Sequence, residues 1–298
     1  MNLSHILDDR DDFELLQGID LSNYSTTKLE SKGNLLIIKS IDALKYLLPI
    51  LNQSGVRYTV IGLGANQILC ERPDLLFIKL KLPFDKEYLS KKRALYHLPA
   101  SVSLSLLINH AKKFELKGWE YMTGIPATIG GAAYMNAGTN LGDMSSLIKK
   151  VYLIKKDGGP KVIEITKKSY SYRKNHFMKE GEIIYAIDII SLGQEKGLSN
   201  KIDSYLKKRA ETQPWKEKTC GCIFKNISKT CRAGHSIDIL NLKGLFYRGI
   251  QIDHLHGNFF INTGQASPED FIDLISVVQD ELYIQFGKKF ETEIKIAR

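Results

Sequence analysis

Gly118-Trp-Glu-Tyr-Met-Thr-Gly-Ile-Pro-Ala-Thr-Ile-Gly-Gly-Ala-Ala-Tyr-Met-Asn-Ala-Gly138 is the stretch whose reading decides the fold. It sets Gly124, Gly130, Gly131 and Gly138 around Pro126, with the small residues Ala127, Thr128, Ala132 and Ala133 between them. Glycine at that density serves a backbone that must approach something closely. A second patch, Val60-Ile-Gly-Leu-Gly-Ala-Asn66, directly follows an apolar, strand-like run. The two patches, with Asn66 and Asn136 set in them, predict a cradle whose backbone amides face a phosphate-bearing ligand. Either patch taken alone is satisfied equally by ordinary turns. Gly62-Leu-Gly64 lacks the third glycine of a dinucleotide-binding Rossmann turn, no helix-opening pattern follows it, and a P-loop lysine is absent. The cradle therefore belongs to some other fold.

Outward from these patches the chain reads as α+β. Ile41, Leu44, Leu47, Leu48 and Leu51 follow a helical period, and Gly55 stands where a terminating glycine would. Tyr58–Ile61 reads as a strand. Val151–Ile154 and Val162–Ile165 flank Asp157-Gly158-Gly159-Pro160 as a hairpin, and Ile183–Ile190 is a further strand. A helix spans about Ile202 to Ala210 and stops before Pro214. Ser267-Pro268-Glu269-Asp270 then opens a last helix with a capping serine, a first-turn proline and first-turn acids. Phe271, Leu274, Ile275, Val278, Leu282 and Phe286 carry its apolar face as far as Gly287.

Composition narrows the function. The 298 residues leave room for two or three domains, and 43% hydrophobic with 25% charged residues is an ordinary globular balance. No apolar run approaches the roughly 20 residues of a membrane helix. Met1–Asp20 is rich in Asp and has neither the basic start nor the apolar core of a signal peptide. Four cysteines make no disulfide framework, which points to a reducing cytoplasm. The net charge of +9 favours anionic partners. Its lysines come in scattered pairs (Lys149-Lys150, Lys155-Lys156, Lys167-Lys168, Lys207-Lys208), so an anionic substrate or cofactor is favoured over nucleic acid.

Three places could carry chemistry. In Thr219-Cys-Gly-Cys-Ile-Phe-Lys-Asn226, Cys222 is either a proton donor beside an anion-binding Lys225-Asn226 pair or a small core residue. Cys220, Cys222, Cys231 and His235 could also be read as zinc ligands, although their spacing lacks the usual knuckles. Arg173, in Tyr170-Ser-Tyr-Arg173, is either a surface ion-pair partner or a carboxylate clamp working through its planar fork. Glu291 and Glu293, in Phe290-Glu-Thr-Glu-Ile294, fall on one face of a predicted strand.

Taken together and in this order, the segments resemble the UDP-N-acetylenolpyruvoylglucosamine reductases. The resemblance runs from Asn23-Tyr-Ser-Thr-Thr27 through both small-residue patches, Ser171-Tyr-Arg173, Arg209 and Gln213-Pro214. It continues in Gly221-Cys222-Ile-Phe-Lys-Asn226, His256-Gly-Asn258 with Asn262, and Phe290-Glu-Thr-Glu293. It implies an FAD-binding fold of the vanillyl-alcohol oxidase type with a C-terminal substrate-binding domain. Residues 1–80 and 81–200 would be the two FAD subdomains, 201–288 the substrate domain, and 289–298 a segment returning to the first. FAD's pyrophosphate would be held by Gly62, Gly64, Ala65, Asn66, Gly124, Ile125, Pro126, Gly130, Gly131, Asn136 and Gly138.

NADPH would reduce the flavin, which then delivers a hydride to the vinyl carbon of the UDP-sugar's enolpyruvyl group. By motif position Cys222 gives the proton, Arg173 and Glu293 stabilise the enol, and Tyr172, Arg209, Lys225, Asn226 and His256 meet the substrate. A thiol's ordinary pKa of about 8.5 keeps it protonated at neutral pH, as a general acid requires. The implied place is peptidoglycan precursor synthesis, hence cell-wall biogenesis, shape and division, in a cytoplasmic monomer with no metal, membrane or nucleic-acid partner. Ala65, Ala127 and Ile227 depart from the residues usual in the family, and Cys222 replaces its commoner serine, which exposes the site to oxidation. No inserted block separates Arg173 from Cys222, as in the shorter of the family's two structural types. Another FAD oxidoreductase of this fold, or a basic nucleotide- or nucleic-acid-binding protein, are the alternative readings.

Overall fold

Apolar residues at helical and alternating spacings settle into two compact units whose segments interleave along the chain. The computed structural model describes residues 10–298; the first nine residues of the Asp-rich Met1–Asp20 segment considered above lie outside them. One unit comprises the described residues up to Gln17, Asn34–Gly62 and Asp74–Lys207; the other comprises Gly18–Gly33, Leu63–Pro73 and Lys208–Arg298. Helices stand beside both parallel and antiparallel sheets, so the class is α+β. Among the described residues, no helix is long and apolar enough to cross a membrane.

In the first unit the predicted helix forms as Ile41–Gln53, opened by Ser40, whose Oγ accepts the Ala43 amide at 2.8 Å. Its apolar stripe of Leu44, Leu47, Leu48 and Leu51 is wholly buried, and each such leucine contributes about 1.5–3 kcal/mol. The helix lies with a sheet ordered Phe13–Asp20, Lys32–Ile38, Leu75–Leu80, Arg57–Ile61, in which the last strand and Lys32–Ile38 both run parallel to Leu75–Leu80. Parallel strands need a crossover between them, and this helix is the crossover from Lys32–Ile38 to Arg57–Ile61.

A second, antiparallel sheet is ordered Pro160–Glu164, Ile148–Ile154, Ile183–Ile189, Tyr96–Pro99. The predicted hairpin is its outer pair, closed where the Lys155 amide meets the Gly159 carbonyl at 2.9 Å. The turn glycine has a specific task. Pro49 has no N–H to give the Lys45 carbonyl four residues before it, and Gly158, at φ 79°, packs so closely on that carbonyl that a Cβ would collide with it. Gly158→Ala is therefore expected to lower the urea midpoint. The left-handed conformation alone costs about 1–2 kcal/mol for a residue with a Cβ.

The second unit holds an antiparallel sheet ordered Thr219–Cys222, Phe259–Asn262, Ile250–Ile252, Phe246–Tyr247. Helix Pro268–Phe286 buries Phe271, Leu274, Ile275, Val278 and Leu282 in a core shared with Phe224, Phe260 and Phe290. Its start is the predicted one, sharpened into a capping box: Ser267 Oγ accepts the Asp270 amide at 3.1 Å, and Asp270 Oδ2 accepts the Ser267 amide at 3.0 Å. Gly287, at φ 62°, ends it.

Two local expectations fail. Glu291–Glu293 does not lie in a strand; Thr292 makes one isolated bridge with Phe224, and the terminal strand is Lys295–Ala297, parallel to Gln67–Leu69. The chain switches partners between those segments, and alternation in sequence does not register a switch of partner. The Gly118–Gly138 run is likewise not one loop. It contains a 3₁₀ turn, Trp119–Met122, and a helix, Ile129–Met135, because Ala and Met favour helix once Thr128 caps it.

Candidate active site

In the first unit the run is a packed wall as much as an open cradle. Thr128 Oγ1 accepts the Gly131 amide at 3.3 Å and opens the helix Ile129–Met135. The amides of Ile125, Ala127, Ile129 and Gly130 go to the carbonyls of Met122, Ile125, Val102 and Ala100 at 2.8–3.2 Å. The general expectation of amides turned to a ligand therefore fails for these five, since each already closes a bond inside the protein. Gly130 answers to close packing: a Cβ there would stand 2.7 Å from the Ala100 Cβ. Gly138 similarly abuts the Gly142 carbonyl.

Gly62 joins the Val60–Asn66 patch to the run, because a Cβ on it would lie 2.9 Å from Thr128 Oγ1. Gly131 is exposed, and its Cβ position meets nothing nearer than 3.5 Å, so the wall opens there. Gly124 turns the chain at φ 73°, between the 3₁₀ turn and the half-buried Ile125 and exposed Pro126. Sequence reasoning missed Lys79. Its Nζ donates to the Gly62 carbonyl at 2.7 Å, and burial lowers its pKa. The legible signal was a lone cation in the otherwise apolar strand Leu75–Leu80.

Arg173 is tied to this run. It sits at the tip of a minimal hairpin, Tyr170–Ser171 with Lys174–Asn175, in the left-handed conformation at φ 55°. Its guanidinium donates to the Gly138 carbonyl at 2.9 Å and the Asn136 carbonyl at 3.3 Å, and stands 5.2 Å over the half-exposed Tyr172 ring. Asn136 is buried and also left-handed, at φ 47°; its Nδ2 donates to the Ser171 carbonyl and its Oδ1 accepts the Ser145 amide. A candidate cofactor wall and a candidate catalytic cation are thus one hydrogen-bonded assembly. Strained non-glycine backbone of this kind persists only where its surroundings over-determine it, and it collects at functional sites.

The second unit brings together Cys222, Lys225, Asn66 and Glu293. Gly221, at φ 80°, bulges the strand, and the register slips between Thr219↔Ile261 and Cys222↔Phe259. Cys220 and Cys222 would share one face of a regular strand. The bulge separates them: Cys220 is 2% exposed, and burial pushes its thiol up to about 12, whereas Cys222 is half-buried. Beyond Cys222 the Glu293 amide donates to the Ile223 carbonyl at 2.7 Å and the Lys225 amide to the Glu291 carbonyl at 2.8 Å. Lys225 Nζ also pairs with Glu291 at 3.0 Å. Asn66 Nδ2 reaches the Glu293 carbonyl at 3.3 Å, and its own carbonyl accepts the Lys295 amide at 3.0 Å. Before Ala65, Gly64 (φ 65°) runs so close to the Tyr24 carbonyl that no Cβ fits.

Other expected site residues are placed with mixed duties. Asn226 Oδ1 accepts the Ala233 amide at 3.0 Å, organising the loop into the next helix. His256 Nδ1 accepts the Asn258 amide at 3.2 Å, so its proton sits on Nε2, and burial lowers its pKa. Arg209, in the last turn of Leu198–Thr212, donates to Gln213 Oε1 at 3.0 Å and stands 5.7 Å over the Trp215 ring. Among the described residues, no three His, Cys, Asp or Glu side chains are grouped to hold a metal.

This wall of small residues has counterparts among known proteins. A family model described as an FAD binding domain matches residues 34–163, which makes the chain a flavin-binding protein of the α+β class. A second, described as the C-terminal domain of UDP-N-acetylenolpyruvoylglucosamine reductase, matches residues 213–297. A reductase of that name from Bacillus pumilus is 30% identical over 286 residues, covering 95% of this chain and 94% of its own. One from Chlamydia pneumoniae is 31% identical over 285 residues, covering 95% and 92%. A crystal structure of the Thermus caldophilus reductase superposes with a TM-score of 0.79 at 29% identity, covering 96% of this chain and 99% of that one. The chain belongs to the UDP-N-acetylenolpyruvoylglucosamine reductase family.

Proposed function

We propose that this chain reduces UDP-N-acetylglucosamine enolpyruvate to UDP-N-acetylmuramate with FAD and NADPH, in the cytoplasmic branch of peptidoglycan precursor synthesis. The observation that carries the reading is the splice of the Cys222 and Glu293 segments, made by the 2.7 Å bond from the Glu293 amide to the Ile223 carbonyl. A proton donor and a carboxylate are held by adjoining backbone.

The residues fit FAD. From Thr123 to Asn140 the chain has no charged side chain, and at Gly131 the wall opens, with nothing nearer than 3.5 Å to where a Cβ would stand. An uncharged backbone surface free of side chains lets a bulky anionic cofactor approach closely. Gly62, Gly64, Ala65, Asn66, Gly124, Ile125, Pro126, Gly130, Gly131, Asn136 and Gly138 would hold it. For Ile125, Gly130 and Gly131, whose amides are already bonded, and for Gly64 and Gly138, packed against backbone, this means shaping the wall rather than donating to the ligand. Residues 1–80 and 81–200 are assigned as the FAD subdomains, with 201–288 as the substrate domain and 289–298 returning to the first.

When bound, FAD supplies the hydride, drawn from NADPH, that reduces the substrate's vinyl group. Everything else falls to side chains. Cys222 gives a proton to the carbon beside the carboxylate, and Arg173 and Glu293 stabilise the enol. A fixed guanidinium binds the added negative charge of the enolate more strongly than the singly charged carboxylate of the ground state, which lowers the barrier. Tyr172, Arg209, Lys225, Asn226 and His256 are assigned to the UDP-sugar, and the enzyme is assigned as a monomer.

The test is spectroscopic. Purified protein, reconstituted with FAD where needed, is expected to show flavin absorbance, to bleach with NADPH, and to reoxidise rapidly on adding the enolpyruvyl sugar nucleotide. Absence of bound flavin after reconstitution overturns the proposal; reoxidation by oxygen alone assigns a different substrate.

A further inference from the structure

Between the two groups assigned to the substrate, the dipeptide Ile223–Phe224 has no regular strand partner of its own, yet nearly every backbone atom in it is held. The Ile223 amide donates to the Asn258 carbonyl at 2.9 Å, and the Ile223 carbonyl accepts the Glu293 amide at 2.7 Å. The Phe224 amide donates to Asn258 Oδ1 at 2.9 Å, while the Phe224 carbonyl accepts Asn258 Nδ2 at 2.8 Å. Asn258 is 2% exposed, and its own amide donates to His256 Nδ1. All four of its polar groups are thereby used.

The arrangement has a physical reason. The bulge at Gly221 and the slip in register end the ladder with Phe259–Asn262 at Cys222. Past that point a primary amide is the side chain that offers a donor and an acceptor in one plane, as a strand residue does. Phe224 requires both, which fixes the orientation of the amide. Asn258 thus extends the ladder by one step with its side chain. Aspartate would lose the donor, and glutamine is one methylene too long for the same plane.

We propose that Asn258 is a positioning residue for the proton donor: by clamping Ile223–Phe224 it sets the spacing between Cys222 and Glu293. The proposal rests on the reading of Cys222 and Glu293 given above. Asn258 touches neither substrate nor flavin in this assignment. Its effect is confined to the step in which the proton moves.

The experiment is a double-mutant cycle read in the two half-reactions of the flavin-loaded enzyme. Asn258→Ala and the milder Asn258→Ser are expected to leave flavin reduction by NADPH unchanged. Reoxidation by the enolpyruvyl sugar nucleotide is expected to slow roughly 10- to 100-fold, the scale of a donor displaced by about an ångström. In a Cys222→Ala background, Asn258→Ser is expected to add nothing further, because the group it positions is gone.

Reoxidation of Asn258→Ser at the wild-type rate overturns the clamp. So do losses that multiply in the double variant, an equal slowing of both half-reactions, or failure of both Asn258 variants to hold FAD, each of which assigns Asn258 a purely structural role. Wild-type reoxidation by Cys222→Ala alone is a different failure, since it removes the assignment of Cys222 on which the clamp depends.

Discussion

Cys222→Ala is expected to reduce with NADPH as the unaltered protein does, yet to reoxidise with the enolpyruvyl sugar nucleotide roughly 10²- to 10⁴-fold more slowly, the range spanned by a lost general acid. The two half-reactions separate because hydride enters the flavin without a proton from this side chain. Only the second places a proton on carbon. Cys222→Ser should recover much of the loss, since a hydroxyl can deliver the same proton. Cys220→Ala, by contrast, should alter stability and leave the rates alone: that thiol is buried in the core with its pKa raised to about 12 by desolvation. Stopped-flow absorbance resolves both phases. Equal slowing of both by Cys222→Ala would identify a packing residue instead of a donor.

The contrast between these two cysteines shows where sequence reading stops. In a regular strand, a Cys-Gly-Cys triplet would put both thiols on one face. The structure parts them through a bulge whose cause, Gly221 at φ 80°, is visible in sequence only as one more glycine. Local signals carried well elsewhere. The Ser267 cap, the leucine stripe of Ile41–Gln53 and the Asp157–Pro160 turn each depend on a few neighbouring residues, and each forms where its pattern lies.

Pairings across long sequence distances did not carry. Nothing near Thr292 announces a bridge to Phe224; the resemblance alone implied that 289–298 returns to residues 1–80, and nothing near Lys295 sets its parallel register with Gln67. The same holds for the small-residue run. Its composition marked close approach, but whether the approach is to a ligand or to Ala100 and Gly142 is decided by where those segments fold. Of the candidate site, the order of the segments along the chain conveyed the family. The bonds that position them, such as those of Arg173 to Asn136 and Gly138, were not.

Arg173→Gly and Arg173→Ala are expected to be equally poor catalysts and unequally stable proteins. Both remove the cation that meets the developing enolate, for which losses of about 10²–10³ in the reoxidation rate are typical of a single preorganised donor. Both also remove the bonds to the Asn136 and Gly138 carbonyls, so that contribution cancels in the comparison. What differs is the backbone. At φ 55° the alanine variant retains a left-handed conformation that costs a residue with a Cβ about 1–2 kcal/mol. Glycine relieves that strain and gives back roughly 0.5–1 kcal/mol through the greater freedom of its unfolded chain.

The glycine variant should therefore be the more stable of the pair by about 0.5–1 kcal/mol, read as a higher urea midpoint at unchanged slope. Equal midpoints would mean that the turn carries no strain. A wild-type reoxidation rate in either variant would remove Arg173 from the chemistry. If both expectations hold, the protein retains an arginine where the backbone favours glycine, and the reason is its charge: the turn is held out of its preferred conformation to keep a guanidinium beside the wall assigned to the flavin.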